Sequence, residues 1–149
     1  MKPLSTMRQF ACGVAALLLL SLSGAVLAQD NAVRGPDKVV YHFDGGLAQA
    51  TKGLRNHLDI DPKAKIVAVA HAEGVDFLME GAKSTNGQAF ESIVQDLAGR
   101  GVVFEVCEIT MRGRGLKREQ FIMGAGFTPS GVVRLANLQA REGYAYIKP

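Results

Sequence analysis

The sequence predicts an α/β protein built on a mostly parallel sheet with helices on both faces. Two observations support this fold class. Short β-branched and apolar runs alternate along the chain with segments whose apolar residues recur at helical spacing. One of the runs, Lys65–Ala70 (KIVAVA), is apolar almost throughout, as is typical of a parallel strand that helices cover on both sides.

The first 28 residues have the features of a secretory signal peptide. Lys2 and Arg8 precede the apolar stretch Phe10–Leu22, and Val26–Ala28 fits the pattern that a signal peptidase cuts. We therefore predict a periplasmic protein whose mature chain begins near Gln29. The alternative is an uncleaved anchor, for which this apolar stretch is short, since a spanning helix needs about 20 apolar residues.

The mature chain is predicted to be a flexible leader, 29–37, followed by one domain, 38–149. The leader is polar and contains Gly35 and Pro36. Runs of strand length, bounded by Gly, Pro or Asp residues, then predict five strands. The predicted strands are Lys38–Phe43, Lys65–Ala70, Val102–Cys107, part of Phe121–Thr128, and Tyr144–Ile147.

Helices are predicted between these strands. Apolar residues at helical spacing indicate helices over 47–58 and 90–97, and a short helix is predicted over 108–116. The last helix is predicted to begin with Pro129 at its first helical position. The short length of segment 74–81 leaves its state open, although one or two helical turns would fit. Its apolar residues suggest a contact surface between copies of the chain; an ordinary core segment is the alternative. Those residues are Val75, Phe77, Leu78 and Met79.

Charge and motifs exclude several function classes. The chain has a net charge of +3, but two of its 17 basic residues lie in the predicted signal peptide, so the mature chain is close to neutral. We therefore expect no nucleic-acid partner, and no membrane partner after signal cleavage. The sequence also lacks a dinucleotide-binding glycine loop, a phosphate-binding P-loop and a Gly-x-Ser-x-Gly nucleophile motif.

Cysteine usage limits the chemistry further. Cys12 lies within the predicted signal peptide, which leaves Cys107 as the one cysteine of the mature chain. In an oxidising compartment such a thiol is buried and inert, paired between chains, or kept for its reactivity. The count and spacing of cysteines exclude a structural zinc site of the usual kind. We expect neither a metal nor an organic cofactor.

Potentially reactive side chains follow the predicted strands where each one ends. His42 lies at the end of the first strand, His71 directly after the second, and Cys107 at the end of the third. The carboxyl ends of parallel strands form the usual ligand site of such sheets. If these strands are neighbours, the three side chains share one edge.

Cys107 also precedes a predicted short helix, whose N-terminus would favour the thiolate. Arg112 and Arg114 would add positive potential, whereas Glu105 and Glu108 would oppose ionisation. The residues alone leave a purely structural role open at each position. Cys107 could be a small buried apolar residue, the histidines could be packing or capping residues, and the basic run could be a solvated surface.

One segment of the sequence is similar to a known family. Residues Gly101–Gly115 (GVVFEVCEITMRGRG) resemble the cysteine segment of the DsrE/DsrF-like sulfur-relay proteins. The strands Lys38–Phe43 and Ile66–His71 and the closing stretch Pro129–Lys148 are similar to the exported branch of that family, so the resemblance covers about 38–149. It implies a three-layer α/β/α fold with a mostly parallel sheet of about five strands, and assembly into oligomers.

The resemblance also implies a function. Cys107 matches the family cysteine that carries sulfur as a persulfide, which makes donor and acceptor thiols or proteins the expected partners. His71 would then serve as a proton donor or orienting group, and His42, Arg112 and Arg114 would bind the ligand. The chain differs from the relay members in its predicted export and in its lack of a second cysteine in the mature chain. Two alternatives stay open: an oligomeric small-ligand-binding module in which Cys107 is structural, and an unrelated enzyme that uses His42 and His71.

Overall fold

The computed structural model describes residues 37–45 and 50–149. The predicted signal peptide, most of the predicted leader and the start of the predicted first helix lie outside these residues. Within them, no helix combines the length and the apolar character needed to span a membrane.

Five strands form one sheet in the order β4-β3-β2-β1-β5, and every neighbouring pair is parallel. The fold class predicted from the sequence is confirmed. The strand β2 lies at the centre and is buried along nearly its whole length, which explains its continuous apolar run. The strands are β1 Lys38–Phe43, β2 Lys65–Ala70, β3 Val103–Cys107, β4 Ala125–Thr128 and β5 Ala145–Ile147.

In the described part of the chain, four α-helices and two 3₁₀ helices connect the strands. The α-helices are α1 Ala50–Ile60, α2 Phe90–Gly99, α3 Glu108–Arg114 and α4 Gly131–Glu142. The 3₁₀ helices are Ala72–Leu78, in the segment whose state was left open, and Arg118–Gln120.

The start predicted for the last helix is wrong by two residues. Ser130 is the N-cap of α4, and its hydroxyl accepts a hydrogen bond from the Val133 N–H at 3.4 Å. The first helical residue is therefore Gly131, and Pro129 lies before the cap. The Ser130 oxygen satisfies one of the free N–H groups of the first turn, so the helix begins at the residue after this serine.

The two faces of the sheet are covered by different amounts of apolar packing. The larger core includes Phe43 and Phe104, whose rings lie 5.2 Å and 6.1 Å from the ring of Phe77. The smaller core lies under α4, where Leu135 and Leu138 pack on the opposite face of β1 and β2. Helices therefore enclose the sheet in three layers.

The predicted contact surface over 74–81 is largely internal. Val75, Phe77 and Leu78 are all buried in the core of the single chain. Only Met79 is partly exposed, and it packs against the same core. The alternative, an ordinary core segment, applies here, and the expectation of an oligomer now depends on the family resemblance alone.

Candidate functional site at the carboxyl edge of the sheet

The strand order brings the predicted site residues to one edge of the sheet. The strands β1, β2 and β3 are direct neighbours, and they end at Phe43, Ala70 and Cys107. His42 is the penultimate residue of β1, and His71 follows β2 directly. The three strands are therefore neighbours, as the prediction that His42, His71 and Cys107 share one edge required.

Cys107 lies where β3 passes into α3. It is the N-cap residue of that helix, and only 4% of its surface is exposed. Its Sγ accepts a hydrogen bond from the backbone N–H of Gly131, the first residue of α4, at 3.1 Å. The sulfur thus faces the amino ends of two helices, and the described residues provide it no disulfide partner.

These surroundings change the acidity of the thiol. Burial opposes ionisation of Cys107, but hydrogen bonds from the backbone of Gly131, the backbone and hydroxyl of Thr110, and the backbone of Ile109 outweigh it. The pKa of Cys107 is consequently lower than that of an ordinary cysteine. A larger fraction of the thiol is therefore the nucleophilic thiolate near neutral pH.

Thr110 connects the cysteine to the backbone that follows β2. Its hydroxyl oxygen accepts a hydrogen bond from the Ala72 N–H at 2.9 Å, and its hydroxyl also stabilises the Cys107 thiolate. Ala72 has a left-handed backbone with φ of 49°, a conformation that is unusual for a residue with a side chain. The Ala72 carbonyl in turn accepts a hydrogen bond from Arg114 at 3.0 Å.

We expect Thr110→Val to slow alkylation of Cys107 by roughly fivefold at pH 7, since one hydrogen bond to the thiolate is lost. The hydrogen bond from Thr110 lowers the pKa of Cys107, so its removal raises that pKa and shifts the rate profile toward higher pH. The rates of the two proteins should converge once the pH exceeds both thiol pKa values. Iodoacetamide kinetics across pH measure this, and identical profiles for both proteins would contradict it.

Gly131 allows α4 to approach the site closely. A Cβ atom placed on Gly131 would lie 3.2 Å from the Cβ of Cys107 and 3.3 Å from the Cβ of His71. Both distances are shorter than ordinary van der Waals contact. The side chains of Cys107 and His71 therefore begin on either side of one glycine, as neighbours in the site.

The two histidines of the edge contact each other. The ring centroids of His42 and His71 are 4.5 Å apart, and Nδ1 of His42 lies 2.7 Å from the hydroxyl of Tyr146 in β5. Burial, followed by the charge of His71, lowers the pKa of His42, with Asp44 acting in the opposite direction. These surroundings therefore favour the neutral form of His42.

Asp44 and Lys148 form an ion pair beside the histidines. Their charged atoms lie 2.6 Å apart, and the hydrogen bond from Lys148 is the main cause of the lowered pKa of Asp44. Asp44 follows β1 directly and Lys148 follows β5, so this contact joins the ends of two neighbouring strands.

The basic residues after Cys107 divide into two groups. Arg114 pairs with Asp76 at 2.7 Å as well as with the Ala72 carbonyl, so it fixes the backbone next to His71. Arg112 is exposed, and no polar partner for it is found among the described residues. Ligand binding by His42 and by either arginine stays a prediction.

The acidic residues that were expected to oppose the thiolate are each paired with an arginine. Glu105 binds Arg134 of α4, with a closest approach of 2.9 Å, and Glu108 binds Arg118. Their negative charges are therefore compensated locally.

Sequence reasoning missed several residues of the site. Thr110 and Gly131 hold the sulfur, and Asp44, Tyr146 and Lys148 surround the histidine pair. The helix start at Ser130-Gly131 was a usable signal for Gly131. No local pattern indicates Tyr146 and Lys148, because the position of the last strand beside β1 is not encoded in nearby residues.

Comparison with known proteins agrees with this architecture. The model of the DsrE/DsrF-like family matches residues 20–149. The chain belongs to the DsrE/DsrF-like family. The family predicted from the cysteine segment is thus confirmed, and with it a general association with sulfur relay.

Several solved structures resemble this DsrE/DsrF-like chain. One is the protein of unknown function MTH1491 from Methanobacterium thermoautotrophicum, with 28% identity and a TM-score of 0.68 over 76% of this chain and 99% of that one. Another is the YchN protein of E. coli, with 15% identity and a TM-score of 0.60, again over 76% of this chain and 99% of that one. At this identity the likeness shows the fold alone. No curated protein matches the chain.

Proposed function

We propose that this DsrE/DsrF-like protein is a periplasmic sulfur carrier that holds sulfane sulfur as a persulfide on Cys107 and passes it to an acceptor thiol. The observation that supports the proposal best is the environment of the sulfur. Hydrogen bonds from Gly131, Thr110 and Ile109 stabilise the thiolate, and His71 is its neighbour across Gly131. A thiolate is the species that attacks sulfur in an exchange reaction.

The transfer needs no other oxidant or reductant. The Cys107 thiolate attacks the outer sulfur of a donor persulfide, polysulfide or thiosulfate and forms a new S–S bond. The rest of the donor leaves as a thiolate, a shorter polysulfide or sulfite, respectively. An acceptor thiolate then attacks the outer sulfur of the Cys107 persulfide and regenerates the Cys107 thiolate. Each step breaks one bond to sulfur and forms one.

The neighbouring residues have separate roles in this proposal. His71 supplies a proton to the departing thiolate and orients the donor. Arg112 is exposed on α3 and attracts anionic donors such as polysulfide or thiosulfate. His42 extends the binding surface, while Arg114 holds the Ala72 backbone and positions His71.

The small exposed surface of Cys107 favours a second candidate function. A thiol that is 4% exposed can also be a structural residue in a non-catalytic oligomeric module that binds a small ligand at the strand ends. In the carrier, by contrast, a donor must reach the thiol between the first turns of α3 and α4. The two functions therefore differ in whether Cys107 reacts in the folded protein.

The deciding experiment is intact mass spectrometry. The protein is expressed from its full coding sequence, incubated with polysulfide or thiosulfate, and compared with Cys107→Ser. We expect added sulfur on the wild-type protein, none on Cys107→Ser, and discharge by an added thiol. Cys12→Ser is the matched control and should load normally.

The same samples allow two further measurements. The mass of the purified chain shows whether the signal peptide is removed near Ala28, and size-exclusion chromatography with light scattering tests the predicted homo-oligomer. Absence of an adduct on a folded protein whose Cys107 also resists iodoacetamide would refute the carrier and favour the binding module.

A further inference from the structure

We propose that His42, Asp44 and His71 form a binding site for a divalent transition-metal ion, for which Zn²⁺ is the best match. One ligand atom from each of these residues lies within 4.8 Å of the other two. The proposal departs from the expectation, based on the cysteine count, that the chain takes no metal. Cys107 is not a member of this group, so the metal site does not need the thiol, although the proposed sulfur transfer also uses His42 and His71.

The donor set fits the ion. Imidazole nitrogen and carboxylate oxygen are ordinary ligands of Zn²⁺, at about 2.0–2.2 Å, and sites with three protein ligands leave a fourth position for water. Neighbouring ligands then stand about 3–3.5 Å apart. The ligand atoms now lie up to 4.8 Å apart, so these partly exposed side chains would have to rotate to bring them together around the ion.

One ring nitrogen of His42 is available to bind a metal ion. Its Nε2 is buried and has no hydrogen-bond partner within residues 37–45 and 50–149. Its other nitrogen, Nδ1, is engaged by the Tyr146 hydroxyl at 2.7 Å. Metal-bound histidines usually have this arrangement, in which a hydrogen bond to the second nitrogen fixes the ring while the first binds the ion.

The site also holds a positive charge that the ion would replace. The ammonium group of Lys148 lies 2.6 Å from a carboxylate oxygen of Asp44. The lysine side chain is 54% exposed, so it can move into solvent when a metal binds. Lys148 is thus a competitor for the carboxylate, and its removal should strengthen metal binding.

Calorimetric titration of the full-length protein with Zn²⁺ tests the site. We expect one saturable site, weakened at least tenfold in His42→Gln, His71→Gln and Asp44→Asn. Tyr146→Phe should weaken binding about tenfold through the orientation of His42. His57→Gln is the matched control, because His57 lies on α1 and bonds Tyr41 instead.

Lys148→Met keeps all three ligands and should bind Zn²⁺ more tightly, a gain that misfolding cannot produce. Cys107→Ser should bind Zn²⁺ as the wild type does, and Asp44→Asn should still load sulfur on Cys107, so the two proposals fail separately. Absence of saturable binding, unchanged binding in His42→Gln, or loss of binding in Cys107→Ser would each overturn the metal site.

Discussion

Replacement of Gly74 by alanine is expected to destabilise the fold by at least about 3 kcal/mol. A Cβ atom at this position would lie 2.1 Å from the carbonyl oxygen of Phe43 and 2.7 Å from the backbone nitrogen of Asp44. Both atoms belong to backbone, which cannot rotate away as a side chain does. The 3₁₀ helix Ala72–Leu78 and the end of β1 would have to separate.

Urea denaturation of the purified protein measures this effect. Gly113→Ala is the matched control, since a Cβ at Gly113 meets nothing within 4 Å and alanine favours the helical state of α3. The control should be neutral or slightly more stable. If Gly74→Ala lowers the free energy of unfolding by less than about 1 kcal/mol, the end of β1 and the 3₁₀ helix can separate at little cost. That result would contradict the close packing described above.

Gly131→Ala is expected to slow alkylation of Cys107 about tenfold at neutral pH, because a hydrogen bond to a charged group contributes about 1.5–3 kcal/mol. The added methyl group presses on the Cβ atoms of Cys107 and His71 and moves the first turn of α4 outward. The N–H of residue 131 then leaves the sulfur that it now contacts at 3.1 Å. The thiol pKa should rise.

The pH midpoint of alkylation separates this electrostatic effect from a change in access. A higher midpoint indicates loss of thiolate stabilisation, whereas a faster reaction with an unchanged midpoint would indicate only that α4 had opened. Val132→Ala is the control, because that side chain is 65% exposed on the same turn. An unchanged midpoint in Gly131→Ala would contradict the role assigned to the Gly131 N–H.

Most of the sheet could be predicted because each strand has its own local pattern. The run Lys65–Ala70 indicated a strand buried on both faces, and its bounds are the same in the structure. Phe121–Thr128 was harder, since its first residues form only an isolated bridge between Phe121 and Met79 before β4 begins at Ala125. The boundary there depends on a partner 42 positions earlier in the chain.

The site was predictable only in part, for a topological reason. Strands that follow each other through short helical connections tend to be neighbours, which brought His42, His71 and Cys107 together. Tyr146 reaches His42 from a position 104 residues later, and Lys148 reaches Asp44 across the same separation. The place of β5 beside β1 is decided by packing of the whole chain, which no local pattern reports.

The short edge strand β5 also has a consequence for how the protein must be handled. Only Ala145, Tyr146 and Ile147 pair with β1, yet the residues that contact His42 and Asp44 lie within or directly after this strand. An affinity tag fused after Pro149 would start two residues beyond Lys148 and crowd the histidine pair. Tags are better placed elsewhere, and ligand measurements made with a carboxyl-terminal fusion would describe an altered site.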